Sequence, residues 1–328
     1  METVSILLQT ETSSTLAREY IVRILMFGRG VIATIYGRVL QGAGHEVEFY
    51  VRSGRAAEYG SEVTLDWIDG RHKPFGRHIT ETFATQLRES LAVSEPYDLI
   101  ILSVGHHRLA EAASIVAPHA GDATVLVFGN IWEEPADAVA PIEAEQLVFG
   151  FPLAGGGFSK DGVLSGALLS NVIIGESGDT ATRREQEVHD LFHQAGLSVR
   201  RERDMRGWLW LHFIADAGMF SQALRSGSLA EMVGDRRAFR AAFETTRDLL
   251  PLLRARGVDI RRHRSTALPF LQPRLVAPLI AWATARIPFA RRNLAAHTDP
   301  QTPEALAVIA DTLREAKRLG IPAGRLAS

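Results

Sequence analysis

The 328-residue sequence predicts an α/β fold in which a mostly parallel-sheet domain is followed by an all-helical one. Three observations lead to it. Residues 21–52 read as strand, glycine turn, helix and strand. Continuous apolar runs recur at 99–104, 124–128, 146–151 and 171–174, the texture of strands buried on both faces. Past residue 176 the pattern becomes helical. The expected division is an extension over 1–20, a sheet domain over 21–176 and a helical domain over 177–328.

The first unit carries the strongest local signal. The apolar run 21–27 leads into Gly28-Arg29-Gly30-Val31-Ile32-Ala33, then a helical segment, a turn at 42–45 and a second strand ending at Arg52. In a G-x-G-x-x-A turn the first glycine permits the tight exit from the strand and the second lets backbone approach a pyrophosphate. The alanine lets the helix pack closely on the sheet. The helix N-terminus offers free N–H groups and partial positive charge to phosphates. Residues 28–33 are therefore the expected dinucleotide contact. The strand end selects the dinucleotide. An NAD site usually places a carboxylate there for the ribose hydroxyls, whereas this chain reads Arg52-Ser53-Gly54-Arg55. Glu48 is an acid several residues short of the tip. Arg52, Ser53 and Arg55 can hold a 2′-phosphate by charge-assisted hydrogen bonds, which favours NADP(H); a solvated basic turn is the plainer reading.

The remaining elements follow in order. Residues 64–68 and 78–83 read as short strands around a Gly/Pro turn at 70–76, and 84–91 as a helix. Pro96-Tyr97-Asp98 introduces the strand 99–104, and the helix 109–117 is stopped by Pro118. The strand 124–128 ends at Gly129-Asn130, and 146–151 and 171–174 continue the sheet, with Gly155-Gly156-Gly157 between them. An amphipathic helix over 180–195 ends at Gly196. Helices then run from Trp208 onward, broken at glycines 227, 234 and 257 and prolines 269, 273 and 278. The segment 304–319 closes with Gly320 and Pro322, a helix stop.

Composition sets outer limits. Hydrophobic residues at 46% and charged residues at 23% are ordinary for a globular chain. A net charge of −2 and a pI near 6.6 give no basic excess for nucleic acid or an anionic membrane. The late arginines at 261–264 and 291–292 read as solvated faces or anion contacts. With no cysteine there is no disulfide, thiolate chemistry or Cys-based metal site, and no metal is expected. An acid, Glu2, and no basic residue precedes the short apolar run Ile6-Leu7-Leu8, unlike a signal peptide, and no uninterrupted apolar run reaches a membrane-spanning length. The expectation is a cytoplasmic protein working on a small molecule, without nucleic-acid or membrane partners.

Ligands of an open parallel sheet gather beyond the carboxyl ends of its strands. There the chain offers Gly105-His106-His107 and Gly129-Asn130. Asn130 can orient a carboxamide, a ribose or a substrate carbonyl, or serve as a turn residue. His106 and His107 diverge in an extended segment, which argues against a shared metal. In the helix after Trp208, His212 and Asp216 stand four residues apart and share a face. Such a pair can act as proton donor and orienting carboxylate, or can be a satisfied polar pair in a helix interface. His297 reads as structural.

From about residue 21 onward the chain resembles the ketopantoate reductase family. The resemblance rests on FGRGVIATIYGRVLQGAGHEVEFYVR, on DLIILSV with the following strand to Gly129-Asn130, and on the 155–165 segment before Ile173-Ile174-Gly175. The order then continues with Asp204-Met205-Arg206-Gly207-Trp208-Leu209-Trp210 entering a helix. The resemblance implies a Rossmann-like NADPH-binding domain, a helical substrate and dimerisation domain, and a small-molecule carbonyl substrate in the cleft between them. It also implies reduction of a 2-keto acid to a 2-hydroxy acid, as in pantothenate biosynthesis, and a homodimer. Gly28, Gly30 and Ala33 match the glycine motif, Arg52 the basic residue after the second strand, and Asn130 the asparagine near the nicotinamide. Elsewhere the chain departs from the pattern. Gly105 stands where the family has a lysine after the third apolar strand. His212 and Asp216 stand where it has a catalytic lysine and an asparagine. The late serine-rich motif and its glutamate have no recognisable counterpart in the 264–269 region. These residues point to an NADPH-dependent reductase of a 2-keto acid or related carbonyl compound. The alternatives are an NADP-binding sensor without efficient catalysis and an opine- or 3-hydroxyacid-type dehydrogenase.

Overall fold

The structure, a computed structural model, describes residues 21–72, 76–92, 96–176, 178, 180–299 and 301–327; the 1–20 extension lies outside them. β1 (Arg23–Phe27), α1 (Val31–Gly42) and β2 (Glu46–Tyr50) form the expected opening unit, with β1 and β2 paired in parallel. The short α2 (Arg55–Tyr59) follows. β3 (Glu62–Asp69) and β4 (Arg77–Ala84) make an antiparallel hairpin, and β5 (Gln86–Arg88) returns to pair with β2. Next come β6 (Leu99–Leu102), α3 (Leu109–Val116), β7 (Thr124–Phe128) and β8 (Leu147–Phe151). β9 (Ala154–Phe158), β10 (Leu164–Leu168), β11 (Asn171–Gly175), α4 (Arg183–Gln194) and β12 (Ser198–Glu202) complete the sheet region.

Among the described residues these strands form two sheets. The larger has the order β12-β11-β8-β7-β6-β1-β2-β5 and the smaller β4-β3-β10-β9. The larger is parallel except where β11 meets β8. α1 is packed between the sheets. Ile35, Tyr36 and Leu40 share one core with Met26 and Phe49 on one side and with Leu65, Trp67 and Leu164 on the other. Gly37 permits this approach, since a Cβ there would lie 2.5 Å from the Phe49 ring. α3 covers the opposite face of the larger sheet, with Leu109, Ala113 and Val116 buried against Ile100 and Val125.

The helical region comprises α5 (Met205–Ser226), α6 (Arg236–Ala255), α7 (Arg264–Leu271), α8 (Pro273–Arg286), α9 (Pro288–Ala295) and α10 (Pro303–Arg318). α5 joins the two regions. Its first turn, with Met205, Trp208 and Leu209, is buried in the sheet core. Further along, Trp210, Leu211, Phe213, Ile214, Ala217 and Ala223 are buried in the helical core. Its start is fixed by Asp204, which accepts from the Gly207 N–H at 3.1 Å and meets the buried His263 ring at 2.9 Å.

Three sequence expectations need correction. Residues 84–91 hold no helix; β5 pairs there with β2, and Arg88 reaches Glu48 at 2.8 Å, so a long-range partner overrides local preference. The triple glycine is strand, not connection: a Cβ at Gly156 would lie 2.4 Å from the Ser165 carbonyl, and one at Gly157 2.6 Å from that of Ala296. The glycines are thus needed for close strand and α9 contact. Finally, β12 carries the larger sheet on to Glu202, past the boundary expected at residue 176.

Candidate functional site

Two groups of residues lie at the carboxyl ends of the central strands. The first is the glycine turn. Gly28 has φ of 98°, open to glycine, and its N–H donates to the Tyr50 carbonyl at 2.9 Å. Gly30 caps α1, no side chain caps the first turn and no acid lies in it, so its N–H groups and positive end face outward. A Cβ on either glycine would meet nothing within 4 Å, so both border open space. That space is a cleft of about 300 Å³ lined by Gly28, Arg29, Gly30, Arg52, Ser103 and Gly105, among others. Val31 and Ile32 pack toward the α1 core and Ala33 is buried in it, so this turn presents backbone to the cleft.

Arg29 is nearly buried. It donates to the Glu62 carbonyl at 3.2 Å and lies 4.8 Å from the centre of the Tyr59 ring, and burial lowers its pKa. It braces the glycine turn against β3 and α2. Glu48, the acid short of the strand tip, is consumed inside the sheet. It accepts from Arg88 at 2.8 Å and Tyr97 at 2.5 Å and lies 3.5 Å from Arg23. Burial alone would raise its pKa, but these partners hold it below the ordinary carboxylate range. Arg52 and Ser53 sit exposed in the turn after β2, and the Arg52 side chain has no hydrogen-bond or ion-pair partner among the described residues. Arg55 is committed to Glu58 at 2.6 Å and Tyr59 at 3.1 Å. The cradle fits a dinucleotide: open backbone at the turn, no carboxylate at the tip of β2 and an uncommitted arginine beside it.

The second group lies between β7 and the helices. Asn130, immediately beyond β7, donates from Nδ2 to Asp216 Oδ2 at 2.7 Å. His212 Nε2 lies 3.5 Å from Asp216 Oδ1. Its ring stacks on Trp208, with centroids 5.2 Å apart, and meets the edge of Phe151 at 4.2 Å. The three residues singled out in sequence as catalytic candidates therefore meet in one place. The pair on α5 is only part-buried and is reached from the sheet by Asn130, unlike a polar contact confined to a helix interface.

Glu304, in the first turn of α10, completes the group. Its carboxyl carbon would lie 3.5 Å from a Cβ on Gly105. Burial first, and the charge of Asp216 second, push its carboxyl above the ordinary range, while the Asn130 amide acts the other way. Sequence reasoning missed it. A glutamate two residues after a Thr302 cap looks like routine charge at a helix start; only the packing of α10 across the sheet brings it here.

The remaining histidines stay apart. His106 is buried and bound to Asp311 at 2.9 Å, with its ring against Phe213. The pKa of His107 is lowered by burial and by His106 and Arg108. His297 bonds the Asn293 carbonyl at 2.8 Å. Among the described residues no set of three or more His, Cys, Asp or Glu side chains is arranged to hold a metal, and no helix is long and apolar enough to cross a membrane.

Comparison with known proteins agrees with this architecture. The family model described as ketopantoate reductase PanE/ApbA matches residues 24–178. No curated protein matches the sequence significantly. Among solved structures, a 2-dehydropantoate 2-reductase from Geobacter metallireducens is similar with a TM-score of 0.67 at 18% identity, covering 93% of this chain and 97% of that one. A PanE/ApbA family ketopantoate reductase from Ralstonia eutropha gives 0.63 at 18%, over 93% and 94%. A D-mandelate dehydrogenase in a ternary structure with NADH and anilino(oxo)acetate gives 0.67 at 14%, over 93% and 94%. At these identities the structural likeness speaks for the fold. The sheet domain thus matches the ketopantoate reductase PanE/ApbA family model, and the whole chain shares the two-domain fold of structures bearing that name.

Proposed function

We propose that the protein is an NADPH-dependent reductase of a 2-keto acid or related small carbonyl compound. The carrying observation is the convergence of Asn130, His212 and Asp216 at the strand ends beside the glycine turn. In this reading the first-turn N–H groups of α1 hold the pyrophosphate, and Arg52 with Ser53 holds the 2′-phosphate. The occupied Glu48 and the uncommitted Arg52 support NADP(H) over NAD(H), although a structural relative carries NADH. The nicotinamide supplies the hydride. His212 Nε2 donates the proton to the developing alkoxide, Asp216 orients the imidazole, and Asn130 fixes Asp216. Trp208 and Phe151 hold the ring between them and limit its rotation.

The helical region supports a homodimer. Leu275, Leu279 and Trp282 of α8 recur on one face and are 62–68% exposed, and a relative from Staphylococcus aureus is described as dimeric. Fluorescence titration with NADPH and NADH tests the cofactor assignment. NADPH is expected to bind more tightly, and Arg52→Ala to weaken NADPH about tenfold while sparing NADH. Equal loss for both cofactors would remove Arg52 from 2′-phosphate recognition.

A further inference from the structure

The cleft at the glycine turn has two walls. In the larger sheet β1 lies between β2 and β6, and both pair with it in parallel. The turn after β1 is therefore flanked by the turn after β2 on one side and by the segment after β6 on the other. Arg52 belongs to the first wall. Arg108, the cap residue of α3, and Glu111, in its first turn, belong to the second, and all three line the same cleft of about 300 Å³. Among the described residues four arginines line this space, and two of them are committed: Arg29 to the Glu62 carbonyl at 3.2 Å and Arg55 to Glu58 at 2.6 Å. Arg108 is held more loosely. Its Nε and Nη2 each lie 3.4 Å from Glu111 Oε2, near the outer limit of hydrogen bonding, and the two side chains are 40% and 58% exposed. An exposed pair of this length contributes little and exchanges readily for a better partner.

Resting on the NADP(H) reading, we propose that Arg108 is a second determinant of cofactor specificity, which leaves Glu111 to grip the 2′-phosphate from the wall opposite Arg52. A phosphate monoester carries close to two negative charges and three acceptor oxygens, more than one guanidinium satisfies. The Glu111 carboxylate offers Arg108 a single charge, so the exchange is favourable when a 2′-phosphate is present. With NADH nothing at the ribose draws Arg108 away, and its pair with Glu111 stays closed. Glu111 therefore opposes NADPH twice: it competes for Arg108 before the cofactor binds and repels the phosphate afterwards. The pyrophosphate makes no claim on Arg108, since the first-turn N–H groups of α1 take it. Ala112 and Ile115 line the cleft beside Arg108 and give that wall an apolar stretch suited to an adenine face.

The test is calorimetric titration of NADPH, NADH, 2′,5′-ADP and 5′-AMP into the wild type, Arg108→Ala, Arg108→Lys and Glu111→Gln. Arg108→Ala should weaken NADPH and 2′,5′-ADP about tenfold and leave NADH and 5′-AMP within about twofold. Arg108→Lys should recover part of that loss, because the charge returns without the planar fork. Glu111→Gln should tighten NADPH about threefold and leave NADH unchanged, an opposite sign that a merely structural role for the pair does not produce. Equal loss of both cofactors in Arg108→Ala, or weaker NADPH binding in Glu111→Gln, overturns the proposal. The wild type alone tests the reading beneath it. NADH bound as tightly as NADPH, or neither bound, overturns the NADP(H) reading and the role of Arg108 with it. NADPH preferred by the wild type and equally by Arg108→Ala leaves that reading standing and removes Arg108.

Discussion

Asn130 donates its amide to Asp216 at 2.7 Å, and Glu304, in the first turn of α10, is the acid that burial affects most at this site. Its carboxyl is held protonated more readily in the folded chain than in the unfolded one, through burial and then the charge of Asp216. Ionising it therefore costs the folded state. The cost is absent below the ordinary glutamate range and grows as pH rises toward the raised folded value. Glu304→Gln should accordingly raise the melting temperature at about pH 8 and leave it nearly unchanged at about pH 4; scanning calorimetry at both values decides, and equal shifts would refute the coupling. Stability gained by removing a site residue is the expected trade at functional positions. Part of this site was legible in sequence. His212 and Asp216 declared themselves by i, i+4 spacing, and Asn130 by its place at a strand end. Glu304 did not, because nothing local distinguishes an acid that serves a helix N-terminus from one that tertiary packing buries.

Among elements, α5 holds the chain together, since its first turn belongs to the sheet core and its remainder to the helical core. Beside it Arg256, at the C-terminal cap of α6, lies between two indoles, 4.0 Å from the Trp132 ring centre and 3.6 Å from that of Trp210. Arg256 also donates to the Trp132 carbonyl at 2.6 Å and lies 3.4 Å from Glu315 of α10. Burial pulls its pKa down to about 10, so it remains a cation at neutral pH. Arg256→Ala would empty this slot and leave Glu315 to Arg318 alone, and should cost about 2 kcal/mol in urea unfolding; a loss below about 0.5 kcal/mol would show that the stack is incidental. Element types were readable where periodicity was strong, as in 21–52 and the late helices. They failed at residues 84–91 and 154–158. There strand pairing with β2 and β10 decides the conformation, and partners distant in sequence leave no local trace.

For the molecule as a whole, several buried or half-buried acids hang on cations or donors brought from elsewhere. Asp69, 1% exposed, is bound by Arg71 at 2.7 Å, and Arg71 reaches the Ala195 carbonyl at 2.8 Å, tying the smaller sheet to the end of α4. Asp204 joins the start of α5 to His263. Glu48 gathers Arg23, Arg88 and Tyr97. Burial opposes ionisation of all three, yet their partners hold each pKa below the ordinary carboxylate value. Their contribution is therefore complete above about pH 4 and is lost as pH falls through the depressed folded values. The melting temperature should drop steeply below about pH 4, and Asp69→Asn should flatten that slope; an unchanged slope would exclude Asp69 from the linkage.

The central claim, that a nicotinamide cradle and the Asn130–His212–Asp216 group form one reductase site, has a direct test. NADPH affinity and the rate of NADPH oxidation against a panel of small carbonyl compounds are measured in parallel for the wild type and for His212→Ala. The account predicts the same NADPH affinity in both proteins and a turnover lower by about 10²-fold or more in the variant. Equal turnover in the two, or intact NADPH binding with no carbonyl reduced by the wild type, would contradict it.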